Sequence, residues 1–219
     1  MSIDPDHPFW LSLRIAGAST ALCFVVGAPI AYWLARTRQR FSVIIEMVIL
    51  LPLVLPPTVV GYALVMTLGR EGPIGSVLAP LGIEFLFSPV GAIVAAFTVS
   101  LPLAVLPFKA AFEAVAREYE ELAALEGLSR ARSALQITLP IARRGIGAGL
   151  LLAFARSLGE FGATLMVAGN IPGRTQTLSL AVYHAWQVGA DAAATGPILI
   201  LTAVAIAVVA LQRGLLRPE

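Results

Sequence analysis

The sequence EELAALEGLSRARSALQITLP (residues 120–140) is charged and interrupted by a glycine, yet it lies between two of the most apolar stretches of the chain. Alanines such as Ala123 favour a first helix, and Gly127 stands where a left-handed residue commonly ends a helix. Ser129 is suited to cap a second helix, and Pro140 is expected to break the run that follows. The stretch therefore predicts two short helices, joined by a tight bend and fused rigidly to the next apolar segment.

The composition around this stretch is that of an integral membrane protein. Of the 219 residues, 58% are hydrophobic and 13% are charged, whereas soluble domains carry about 25% charged residues. The apolar residues form blocks near or above the ~20 residues that cross a ~30 Å hydrocarbon layer. We predict an all-α, polytopic bundle that forms one transmembrane domain over residues 1–219. Its five spans are expected at about 10–35, 42–68, 89–112, 145–168 and 196–212.

The basic residues predict the orientation of the bundle. Eleven of the fifteen Lys and Arg residues lie in segments 36–40, 109–144 and 213–217, all at the same end of the predicted bundle. An excess of basic residues marks the cytoplasmic side, so we expect the N-terminus outside, the C-terminus inside and a cytoplasmic loop at 113–144. Because these residues flank apolar blocks, the net charge of +2 does not indicate a nucleic-acid partner.

The second predicted span contains three prolines within six residues, Pro52, Pro56 and Pro57. Each proline removes a backbone donor and obstructs the preceding turn, so this helix must kink or split. The freed carbonyls must be buried in protein or face a water-filled cavity. With Thr58 and Gly61, Pro56 and Pro57 are candidates for a translocation path or gate. The alternative is a static kink that only shapes the bundle.

The spacing within residues 120–140 resembles the EAA loop of ABC importer permeases. In that family the loop forms a coupling helix, which sits in a cleft of a separate ATP-binding subunit. Six residues here follow the motif, and Leu122 stands at its second position in place of alanine. The resemblance implies that the coupling contact involves these six residues and two flanking residues of the turn: Glu121, Ala123, Gly127, Ile137, Leu139 and Pro140, with Leu128 and Ser129.

Two further stretches, LPLVLPPTVVGY (51–62) and FARSLGEFGATLMVAGNIPGRTQTLSLAVY (154–183), look like molybdate permeases of this class, to which tungstate and sulfate permeases are closely related. The similarity covers about residues 10–212. It implies the fold of a type I importer permease in a prokaryotic cytoplasmic (inner) membrane. Five helices are too few to enclose a path, so a homodimer within the lipid is expected. Its partners would be an ATPase dimer that binds ATP and Mg²⁺, and a periplasmic or lipid-anchored oxyanion-binding protein.

Arg156 and Glu160 lie in the fourth predicted span, four residues apart and hence on one helix face. Arg156 is expected roughly 17 Å into the span, where an unpaired charge costs at least ~2.5–3.5 kcal/mol. Two interpretations stay open. The pair is either a salt bridge that only stabilises the bundle, or part of a cationic path in which Glu160 orients Arg156 towards an oxyanion.

The chain contains no G-x-x-x-x-G-K-[ST] motif, so we do not expect it to hydrolyse a nucleotide itself. The resemblance implies a transport subunit rather than an enzyme, with no catalytic, metal or cofactor site of its own. A proton-coupled secondary carrier with Glu160 as proton site is an alternative. Against it stand the absence of an internal sequence repeat and of a second intramembrane acid beyond Glu46, near the inner boundary. A membrane anchor that docks a cytoplasmic enzyme is a third possibility.

Overall fold

A computed structural model describes residues 7–37 and 39–216, and this part of the chain contains helices and no strand, which confirms the all-α class. Two of the basic residues used for the orientation, Arg38 and Arg217, lie outside the described residues. In chain order, the helices are α1 (Pro8–Arg36), α2 (Phe41–Val54), α3 (Pro57–Leu68), α4 (Gly75–Leu78) with a following 3₁₀ turn (Ala79–Leu81), α5 (Pro89–Glu113), α6 (Arg117–Leu125), α7 (Arg130–Ser133), a π-helical turn (Ala134–Thr138), α8 (Leu139–Leu158), α9 (Gly162–Ala168), α10 (Leu178–Gln187) and α11 (Asp191–Leu216).

Four of these helices are long and apolar enough to cross a membrane: α1, α5, the continuous helix from α7 to α8, and α11. A fifth crossing comes from α2 and α3, which are bent by 117° at their break. Glu46 on α2 accepts hydrogen bonds from Lys109 Nζ, near the end of α5, at 2.8 Å. The other end of the pair packs near Leu86, just before α5 begins. The bent pair therefore runs the length of α5, and we count it as one broken span.

The break between α2 and α3 follows from the prolines. A residue that precedes proline is driven out of helical geometry, and Leu55 and Pro56, which each precede a proline, have ψ angles of 143° and 136°. Pro57 then occupies the first turn of α3, where a missing N–H costs nothing. The prediction that this span must kink or split is confirmed.

Helix α5 forms the centre of the bundle and packs between α1 and α8. Gly145 and Gly149 on α8 permit this approach, since a Cβ at those positions would lie 2.5 Å from Ala111 Cβ and 2.8 Å from Phe108 Cε1. By contrast, α2 has no buried residue and α11 is mostly exposed. These two helices face lipid or another protein, while α5, α1 and α8 hold the remaining elements in place.

The fourth predicted span, 145–168, is wrong as a single helix. Pro140 does not break the run before it, because Leu139 N–H donates to Ala134 O, five residues back. This π-helical turn places the proline in the first turn of α8, where its ring is tolerated. The helix instead ends at Leu158, and α9 begins only at Gly162.

Candidate functional site

The bend between α6 and α7 has the geometry that its sequence predicts. Gly127 has a φ of +83°. Its N–H donates to Ala124 O at 3.1 Å, and Leu128 N–H donates to Ala123 O at 2.9 Å. These two bonds form a Schellman cap. Ser129 Oγ then accepts from Arg132 N at the start of α7, so both predicted caps are confirmed and the loop is a rigid helix-turn-helix.

Helix α6 exposes an apolar face at the basic end of the bundle. The side chains of Leu122 and Leu125 are 60% and 84% exposed, and Glu121 beside them is exposed as well, whereas Ala123 is buried. Large exposed apolar side chains clustered on one short helix mark an interaction site. The replacement of the motif alanine by Leu122 therefore enlarges an exposed surface and causes no clash.

A group of partly buried polar side chains lies directly behind this face. We refer to Tyr32, Arg36, Glu120 and Thr138 as the inner cluster. Glu120 Oε1 accepts from Arg36 Nη2 at 2.7 Å, Arg36 Nε at 3.0 Å and Thr138 Oγ1 at 2.7 Å, and its Oε2 accepts from Tyr32 Oη at 3.2 Å. The cluster joins α1, α6 and the π-helical turn, and so brings Ile137, which is half-buried, beside the other motif residues.

Charge in the inner cluster favours the ionised form of Glu120. Burial by itself opposes ionisation, but the hydrogen bonds from Arg36 and Thr138, together with the charge of Arg36, outweigh burial and lower the pKa of Glu120 below its ordinary 4.5. Glu120 is therefore a carboxylate at neutral pH. Sequence reasoning missed it and used Arg36 only for orientation. The sequence offered one signal, which is that Glu120 directly precedes the motif residue Glu121.

The candidate path residues on α3 pack directly against α9. A Cβ at Gly61 would lie 2.9 Å from Ala163 Cα, and a Cβ at Gly162 would lie 3.1 Å from Pro57 Cβ. The two short helices are therefore in close contact near the break at Leu55 and Pro56. The structure brings Pro57, Thr58 and Gly61 together with the segment just after Glu160.

Arg156 and Glu160 form an ion pair at the break between α8 and α9. Arg156 Nη1 lies 2.5 Å from Glu160 Oε2, and the side chains are 29% and 2% exposed. Glu160 Oε1 also accepts from Ala163 N at 2.7 Å, in the first turn of α9. The expectation that both residues share one face of a continuous helix is wrong, because Gly159 and Glu160 lie beyond the end of α8. The pairing itself is confirmed, and a role in the path stays a prediction.

A further intramembrane contact escaped the sequence analysis. Ser157 Oγ donates to Ser100 Oγ at 2.8 Å, and both side chains are buried between α8 and α5. Buried hydroxyls of this kind satisfy each other across helices in a membrane. Serine is too common in apolar helices for the sequence alone to indicate this pair.

The described residues thus form a multi-pass helical bundle with an exposed apolar helix at its basic end and one broken span. The family model for binding-protein-dependent transport system inner membrane components matches residues 27–217. The chain belongs to this family. It is accordingly a transport component and not an enzyme, and the secondary-carrier and membrane-anchor alternatives do not fit this membership.

Several curated relatives are similar over most of their length. The chain is 42% identical to the molybdenum transport system permease protein ModB of Azotobacter vinelandii, over 79% of this chain and 77% of that protein. Identity is also 42% to the proteins of the same description from Mycobacterium tuberculosis, over 90% of this chain and 75% of the relative, and from Escherichia coli K12, over 82% and 80%.

Solved structures support the fold. A chain of a bacterial alginate ABC transporter, in complex with a pentasaccharide-bound periplasmic protein, has a TM-score of 0.75 and 18% identity, over 99% of this chain and 80% of that chain. A chain of the inward-facing MetNI methionine ABC transporter has a TM-score of 0.65 and 13% identity, over 95% and 94%. The expected type I importer permease fold is thereby confirmed.

Proposed function

We propose that this chain is the membrane-spanning permease subunit of an ATP-driven importer of molybdate. The observation that carries the transport class is the family match over residues 27–217. The exposed face of α6, held by the Gly127 turn and fused through α7 to a membrane span, is the surface that we propose for coupling. The assignment of the substrate is based on the relatives, since the curated proteins that share 42% identity with this chain are described as molybdenum permeases. Tungstate and sulfate are the competing tetrahedral anions.

The proposed assembly is a homodimer in the prokaryotic cytoplasmic membrane. Two copies supply enough helices to enclose a path on the two-fold axis, and the unburied apolar helices α2 and α11 offer surface to a second copy and to lipid. A separate ATPase dimer binds ATP and Mg²⁺ and docks on the two α6 faces. A periplasmic or lipid-anchored binding protein captures the oxyanion outside and delivers it to the permease.

The coupling contact is proposed to lie at the motif residues. Leu122 and Glu121 reach the ATPase directly, while Ala123, Gly127, Leu128 and Ser129 hold the shape of the turn. Ile137, Leu139 and Pro140 pass the movement to α8 because the helix is continuous from α7 onwards. Closure of the ATPase on ATP moves the two α6 helices together and rotates the spans from inward-facing to outward-facing. The free energy that α6 transmits cannot exceed the difference between its binding free energies to the two states of the ATPase.

The translocation path is proposed to pass the two broken helices. Pro56, Pro57, Thr58 and Gly61 begin α3, and Arg156 with Glu160 bounds the start of α9, which packs on α3. Arg156 is the only one of these groups that carries a positive charge, and it is partly exposed. It therefore supplies the attraction for an anion, while Glu160 fixes its orientation.

Transport in liposomes tests this proposal. The chain is reconstituted with its partner ATPase and oxyanion-binding protein, and uptake of molybdate, tungstate and sulfate is compared. We expect ATP-dependent uptake that saturates at the lowest concentration for molybdate and that stops when the Walker lysine of the ATPase is replaced. Uptake driven by a proton gradient without the ATPase would contradict the importer assignment, and a preference for sulfate would contradict the substrate.

A further inference from the structure

The inner cluster connects α1 to α6, two helices that no short stretch of backbone joins. Movement of α6 reaches α5 and α8 along the backbone, because α5 ends just before α6 and the Gly127 turn leads into the helix that contains α8. Helix α1 has no such backbone link to α6. At this end of the bundle it is held to the coupling segment by side chains, chiefly by Arg36 on Glu120.

Arg36 contacts both α6 itself and the short connection between α5 and α6. Besides Glu120, its Nη2 donates to Val115 O at 3.1 Å. Arg117, at the start of α6, reaches back to the last turn of α1 with Nη2 at 3.4 Å from the carbonyl oxygens of Ala35 and Arg36. The end of α1 and the start of α6 are therefore bound to each other reciprocally.

The burial of the pair makes this connection strong. The Arg36 and Glu120 side chains are only 14% and 18% exposed, and their hydrogen bonds are charge-assisted. The pair lines the wall of a partly open cavity of about 650 Å³, so separating the two side chains costs more than breaking a fully exposed pair and less than breaking a pair sealed in the interior. The exposed pair of Arg70 and Glu84 near the opposite end of the bundle has no such constraint. The Arg36–Glu120 contact is thus suited to persist while the helices around it move.

We propose that Arg36 and Glu120 are positioning residues that couple α1 to the ATPase-driven movement of α6. In this scheme the first span moves as one body with the coupling helix, in addition to the span that contains α8. The proposal rests on the proposed function, since it assigns a second mechanical output to the same docking site. It concerns the efficiency with which hydrolysis is converted into transport, and neither residue contacts the anion.

The test uses charge reversal in the complete reconstituted transporter. Arg36→Glu and Glu120→Arg are made singly and together, and ATP hydrolysis and anion uptake are measured on the same proteoliposomes. We expect each single variant to hydrolyse ATP but to lose about tenfold in anion transported per ATP. The double variant restores an opposite-charge pair and should recover to within about threefold of the wild type. A purely structural pair would change thermal stability and leave the ratio of transport to hydrolysis unchanged.

Matched controls separate this effect from a general change of charge. Arg40→Glu, just before α2, and Glu118→Arg, on α6, introduce the same charge changes at exposed positions outside the inner cluster, and should keep the wild-type ratio. If the charge-reversed chains fail to enter the membrane, Glu120→Gln serves in their place, with an expected loss of at least threefold in the ratio. A wild-type ratio in the single variants, or no recovery in the double variant, would overturn the proposal. Absence of ATP-dependent uptake by the wild-type complex would instead contradict the proposed function.

Discussion

Gly127 holds a backbone angle that few other residues tolerate. Nothing lies within 4 Å of a Cβ built at this position, so any effect of a substitution arises from φ and not from a clash. A left-handed conformation costs an ordinary L-residue roughly 1–2 kcal/mol, whereas asparagine adopts it readily. The turn of the coupling segment therefore depends on the backbone of a single residue.

We expect Gly127→Val to reduce ATP-dependent uptake, by up to about fivefold to thirtyfold, because a strain of one or two kcal/mol lowers the ratio of native to non-native turn by that factor. Gly127→Asn is the matched control and should stay near wild type. Both variants should accumulate in the membrane at wild-type levels. Uptake and co-purification of the ATPase are measured together. Normal uptake by the valine variant would show that coupling does not depend on the shape of this turn.

Glu120 provides a prediction about pH. Its pKa lies below the ordinary 4.5, so the inner cluster contributes its full stability above pH 4.5 and loses it as the pH falls through the lowered value. The wild type should melt at a higher temperature than Glu120→Gln at neutral pH, and the difference should vanish in acid. Melting curves of the detergent-solubilised chain across this range provide the measurement. A difference that stays constant with pH would exclude a charged Glu120.

Among the elements, the sequence predicts best those helix breaks and caps that one nearby residue determines. Proline chemistry predicts the division of the second span, and glycine and serine predict both caps of the coupling segment. Sequence analysis failed at Pro140, because the helix continues through a π-helical turn. In that turn Leu139 N–H donates to a carbonyl five residues back, and the proline ring is accommodated. It also failed at Gly159, where α8 ends and the Glu160 carboxylate accepts a hydrogen bond from the first turn of the next helix. Both errors concern tertiary and main-chain contacts that no residue type specifies.

The inner cluster shows the same limit for the candidate site. The motif spacing predicted which residues form the coupling segment, since that spacing reflects local helix and turn geometry. The partner of Glu120 is 84 positions away in the sequence, and only the packing of α1 on α5 brings Arg36 within reach. A single sequence carries no signal for that approach.

The break between α8 and α9 permits a test that separates structure from transport. Arg156→Gln leaves Glu160 buried without its ionic partner, which for a buried pair costs roughly 3–5 kcal/mol, and both stability and uptake should fall. Arg156→Gln combined with Glu160→Gln removes both charges and should recover most of the thermal stability. If Arg156 attracts the anion, uptake stays at least tenfold low in the double variant. Recovery of uptake along with stability would show that the ion pair only holds the two helices together.

At the scale of the whole molecule, function depends on which side of the membrane each feature faces. The docking face of α6 and the inner cluster lie at the basic end of the bundle, and the segment with α4 lies at the opposite end, before α5 begins. A cytoplasmic ATPase can use α6 only if the basic end faces inwards. The bent pair of α2 and α3 must then cross the membrane once, or the later spans would be inverted.

Cysteine labelling tests this arrangement directly. The chain has one cysteine, Cys23, which is buried, so Cys23→Ser gives a background without reactive thiols. Leu125→Cys and Leu81→Cys then place single thiols at exposed positions on α6 and near α4. A membrane-impermeant reagent should label position 81 in right-side-out vesicles and position 125 only in inverted ones. Bound ATPase should protect position 125 in the inverted vesicles, since Leu125 belongs to the docking face. Labelling of position 125 from outside would invert the topology and place the coupling segment beyond the reach of any ATPase in the cytoplasm.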